Sequence, residues 1–89
     1  MATKPRIQTL HKDGYKFDFW LEGKGRAAEV CCNAYASLKG PSGQIIRYHD
    51  TPCLEWSFPK VPGNNIVGNA AIYLDQALMY AKNPPSCLS

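Results

Sequence analysis

A chain of 89 residues with 45% apolar and 19% charged side chains has the composition of one folded domain rather than a disordered segment. Its net charge of +3 is too mild to demand a polyanionic partner, and a solvated surface accounts for it. No apolar run exceeds five residues, which excludes a membrane-spanning helix.

In chain order, residues 1–5 and 84–89 read as loose tails around a single α+β domain over 6–83. Residues 6–11 form a strand candidate, and Lys12-Asp13-Gly14 supplies a turn, because Asp-Gly between extended runs is a strong hairpin signal. Tyr15–Glu22 then alternates without error. Tyr15, Phe17, Phe19 and Leu21 point towards a core; Lys16, Asp18, Trp20 and Glu22 point away from it. Trp20 is thereby stranded among charges.

Gly23-Lys24-Gly25-Arg26 breaks the strand. Over 27–38 two periods compete. Ala27, Val30, Cys31, Ala34 and Leu38 recur at helical spacing, while 28–36 also alternates roughly as a strand would; length and four alanines favour the helix. Strands follow at 44–49 and 53–58, separated by a turn at Asp50-Thr51-Pro52. Residues 64–82 form the clearest helix, capped by Asn64 or Asn65 and stopped by Asn83 and two prolines. Ile66, Val67, Ala70, Tyr73, Leu74, Ala77, Leu78 and Ala81 make its core face. Asp75 and Lys82 lie opposite, with Asn69 and Gln76 at the flanks. Ile72 and Met79 are left over on the polar side, beside Gly68. The expected architecture is β-β-α-β-β-α, a four-stranded antiparallel sheet with two helices on one face.

Chemistry-bearing motifs are sparse. Four cysteines are present but Cys31 and Cys32 are adjacent, and no C-x-x-C knuckle exists, so neither a disulfide framework nor a zinc site is expected. The first residues lack the apolar region of a secretory signal, so reduced thiols and a cytoplasmic location are expected. His49, Asp50 and Cys53 are near in sequence, but a tight turn splays such side chains apart and no nucleophile signature accompanies them. No catalytic residue, metal or cofactor is assigned. Gly23, Lys24, Gly25 and Arg26 could cradle an anion if a helix began there, though the P-loop and dinucleotide patterns are incomplete.

Two partner classes remain. Residues 1–50 hold eight Lys/Arg against five Asp/Glu, and Lys16, Lys24 and Arg26 around Trp20 could serve a nucleic acid. Asp18 and Glu22 share that face and would repel phosphates. A mixed-charge surface anchored by Trp20 suits a protein better, since Trp and Arg dominate interface energetics. The partner-binding set is therefore Trp20, Lys16, Lys24, Arg26, Ile72 and Met79, the last two also suiting a homodimer. The expected function is stoichiometric, non-catalytic protein binding. Inhibitors encoded by phages and other mobile elements often have this profile, which makes anti-defence or anti-CRISPR occlusion one instance of it.

Overall fold

In the computed structural model, which describes residues 6–23 and 28–83, five antiparallel strands pair into one sheet and a single helix lies across one of its faces. The strands are β1 (Gln8–Lys12), β2 (Tyr15–Glu22), β3 (Glu29–Lys39), β4 (Ile45–Tyr48) and β5 (Leu54–Pro59), and the helix is α1 (Ile66–Lys82). The Asp-Gly hairpin forms as expected. Asp13 and Gly14 adopt φ of 52° and 83°, the left-handed pair that a two-residue turn needs to match strand twist, and the register closes on Lys12↔Tyr15.

Residues 27–38 are the main correction. The described part of this segment is not a helix but the start of β3, the central strand, with β2 on one side and β4 and β5 on the other. Val30, Cys32 and Ala34 are buried at period two, facing Leu21, Phe19 and Phe17 across the register. Alanines spaced for a helix are also spaced for a strand wherever every second one faces the core. Ladder bonds on both sides then outweigh a propensity difference of roughly 0.7 kcal/mol per residue at most. Small side chains suit this position because Cys32 and Ala34 share one core with Ala70, Ala77 and Ala81 of the helix, allowing close approach.

A second correction concerns residues 44–59. Asp50-Thr51-Pro52 does not turn the chain back into a separate hairpin. β4 pairs the C-terminal half of β3 and β5 the N-terminal half, in one interrupted lane. The amides of His49 and Cys53 donate to the carbonyls of Ala36 (2.9 Å) and Ala34 (2.7 Å), so the excursion leaves and re-enters the same ladder.

The helix buries Ile66, Ala70, Ala77, Leu78 and Ala81 against Phe17, Phe19, Val30, Leu54 and Phe58. Two assignments on α1 reverse. Val67 is exposed, while Asn69 is fully buried. Asn69 accepts from the Val61 amide at 2.8 Å and donates to the carbonyls of Asn64 (3.1 Å) and Asn65 (2.9 Å), tying the β5–α1 connector to the helix. A buried amide with three partners meets the requirement that interior polar groups be satisfied. Asn65 caps the helix, accepting from the Gly68 amide at 3.0 Å. At the other end Asn83 takes φ −132°, not the left-handed exit, and its amide bonds Met79. Asp75 and Lys82 pair with Lys12 and Asp13, pinning the solvent side of the helix to the first hairpin.

Candidate functional site: the open face of the sheet

With one helix instead of two, the face of the sheet opposite α1 has no covering element among the described residues. The strict alternation of β2 therefore sends Lys16, Asp18, Trp20 and Glu22 to a surface. Cross-strand register sets Tyr35, Asn33, Cys31 and Glu29 beside them from β3. β1 adds His11 opposite Lys16 and Thr9 opposite Asp18, and β5 adds Glu55 opposite Asn33 and Ser57 opposite Cys31.

At one end of this face the side chains gather around a cation. The Lys16 ammonium lies 4.7 Å from the Tyr35 ring centroid and 5.7 Å from that of Tyr48. Such contacts are worth roughly 0.5–1 kcal/mol each on a surface and hold the charge in place. His11 and Tyr48 belong to strands three lanes apart, a separation of about 14 Å in a flat sheet. Their ring centroids are nonetheless 5.4 Å apart. The sheet curls at this end, bringing its two edges together over the open face.

The other end is acidic. Glu22 and Glu29 are direct register partners there, while Asp18 and Glu55 flank Asn33 midway along the face. Like charges placed opposite each other are destabilising. Hydrogen bonds temper them: the Thr9 hydroxyl donates to Asp18 at 2.8 Å, and the Cys31 thiol donates to Glu22 at 2.8 Å. Trp20 sits half-buried between the two ends, across from Cys31.

The three described thiols are held towards their protonated form. Burial pushes Cys31 up to about 12, with the Glu22 hydrogen bond adding to it; burial likewise pushes Cys32 up to about 12, and Cys53 is raised by burial as well. A thiol is a nucleophile only as thiolate, so none of the three is activated. Cys31, Cys32 and Cys53 form no disulfide with one another, and Cys31 sits on the open-face side of β3, buried among its neighbours, rather than on the core face of a helix. Among the described residues no three His, Cys, Asp or Glu side chains gather closely enough to hold a metal ion.

Of the expected partner-binding residues, the fold brings Lys16 and Trp20 onto the open face. Ile72 and Met79 are on the opposite side of the molecule, 50% and 54% exposed on α1 with Val67. Gly68, part of that stripe, is explained locally: a Cβ there would meet the Asn64 side chain at 3.2 Å. Lys24, Gly25 and Arg26 lie outside the described residues. Gly23 is the last described residue before them, and the described chain resumes into β3, a strand, from Glu29. Sequence reasoning missed Tyr35, Tyr48 and His11. Once 29–39 is a strand, Tyr35 falls on the same parity as Cys31 and Asn33, but Tyr48 is brought in by register and curl. No helix is long and apolar enough to cross a membrane among the described residues. In comparisons with known proteins the chain matches no family model, and neither the curated proteins nor the solved structures yield a significant match.

Proposed function

We propose that this protein is a non-catalytic binding domain that acts by stoichiometric contact with a protein partner through the open face of its sheet. The observation that supports this most is the uncovered face itself, which carries Trp20, Tyr35 and Tyr48 within a frame of opposite charges. An antiparallel sheet can leave one face in water, and such faces are ordinarily polar. Half-buried aromatic rings, Tyr35 and Tyr48 around the Lys16 cation and Trp20 between Asp18 and Glu22 on its strand, have the make-up of an interface instead, where large rings anchor and charges set register. Occlusion of a partner's surface, as by inhibitors of mobile-element type, is the mechanism this reading implies.

The test is a partner recovered by co-purification from the native host, followed by affinity measurements. Trp20→Ala should weaken binding at least tenfold with the melting temperature nearly unchanged. Tight, steeply salt-dependent binding of generic DNA or RNA, with no protein partner, would overturn the reading in favour of a nucleic-acid binder.

A further inference from the structure

β5 is an edge of the sheet, and its ladder fixes which of its backbone groups are free. Among the described residues it pairs with β3, and no strand lies beyond it. The carbonyls of Ala36 and Ala34 accept from the amides of His49 and Cys53, so these residues of β3 turn their backbone groups into the lane of β4 and β5. By alternation Ala34↔Leu54, Cys32↔Trp56 and Val30↔Phe58 are then the hydrogen-bonded pairs of the register. Leu54, Trp56 and Phe58 are spent on β3, while Glu55, Ser57 and Pro59 turn their backbone groups outward. Pro59 has no N–H, and its carbonyl accepts from the Tyr73 hydroxyl. The free edge is therefore Glu55 and Ser57, both exposed, each with an N–H and a C=O unpaired among the described residues.

We propose that this edge pairs with its own counterpart, β5 running antiparallel to β5 of a second copy about a twofold axis at Trp56. Glu55 then lies opposite the second copy's Ser57, and Ser57 opposite its Glu55. Every free N–H on one edge meets a free C=O on the other, the self-complementary pattern that a twofold interface needs. Trp56 meets the other Trp56 as a non-hydrogen-bonded pair, the kind in which Cα atoms come to about 4.5 Å. The ring is half-buried against Tyr80, their centroids 5.4 Å apart, and has surface left for an aromatic cross-strand contact.

Charge and proline select this register over its neighbours. Shifted one way, Glu55 would face the other Glu55, a like-charge pair that opposes strand pairing. Shifted the other way, Glu55 would face Pro59, which offers no N–H and a carbonyl already taken by Tyr73. An axis at Trp56 also keeps the two open faces on one side of a continuous sheet. The dimer thus goes beyond the open-face reading, since it would present Trp20 twice.

The experiment is sedimentation equilibrium of the full chain over about a hundredfold range of concentration. Expected is a monomer–dimer equilibrium. Ser57→Glu sets a carboxylate opposite each Glu55 and should weaken the dimer at least tenfold with the circular dichroism spectrum unchanged. Adding Glu55→Lys to that variant places opposite charges across the axis and should restore association. Trp20→Ala and Met79→Glu should leave the dimer as it is. A chain that stays monomeric throughout, a dimer indifferent to Ser57→Glu, or a loss that Glu55→Lys does not rescue would overturn the inference. Dissociation by Trp20→Ala or by Met79→Glu would overturn it too, moving self-association to the open face or to α1. A native partner indifferent to Trp20→Ala, bound by a chain that still dimerises through Ser57, removes the open-face reading and keeps this one.

Discussion

The two faces of one sheet make opposite use of the same alternation. On the helix side Phe17 and Phe19 are completely buried and share a core with Leu54, Phe58 and the alanines of α1. One residue along, Lys16, Asp18, Trp20 and Glu22 point to the face that no other described element covers. The inner face carries stability and has little freedom to change. The outer face carries charge, aromatic rings and an uncovered edge, and its residues are constrained mainly by each other.

Substitutions that cross this divide should separate the two roles. Phe17→Ala should cost about 3–5 kcal/mol in urea unfolding, as a fully buried ring leaves a cavity under the helix. Its neighbour Lys16→Ala should cost less than about 1 kcal/mol; near-equal losses would erase the distinction. Asn69→Ala should cost about 1–3 kcal/mol, because the Val61 amide and the Asn64 carbonyl lose their side-chain partner near the helix start.

Alkaline titration probes both faces together, since Cys32 faces the core and Cys31 the surface. An unfolded thiol ionises near ~8.5, whereas both are held protonated to about 12 in the fold. Their raised values contribute stability that is complete below pH ~8.5 and lost as pH rises from there towards 12. Urea midpoints should fall over that window, and less so in Cys32→Ala. Trp20→Ala should cost no more than about 1 kcal/mol while weakening partner binding at least tenfold; a loss comparable to Phe17→Ala would place Trp20 in the core. Asp75→Asn should leave the urea midpoint nearly unchanged, because its pair with Lys12 is exposed.

How much could be read from residues alone follows the strength of local signals. The first hairpin was legible because Asp13-Gly14 demands one turn geometry and Tyr15–Glu22 alternates without interruption. α1 was legible from its period and its Asn cap. β3 was not, since its small residues satisfy two periods at once and only pairing on both sides decides between them. The shared lane of β4 and β5 was equally hidden, being a matter of which half of β3 each meets. On the site, Trp20's place on the open face followed from parity. The Lys16–Tyr35–Tyr48 group required the curl of the sheet, which no local pattern encodes.

The ion pairs between α1 and the first hairpin also bear on how the chain reaches its fold. Lys12–Asp75 and Asp13–Lys82 join positions 63 and 69 residues apart, so the last element closes onto the first. Contacts of such separation form late, after the loop entropy has been spent. During synthesis Phe17, Phe19, Leu54 and Phe58 are all present before the helix that covers them. A nascent sheet with one bare apolar face is prone to aggregate, so C-terminal truncations that shorten α1 should yield insoluble protein rather than a smaller stable domain.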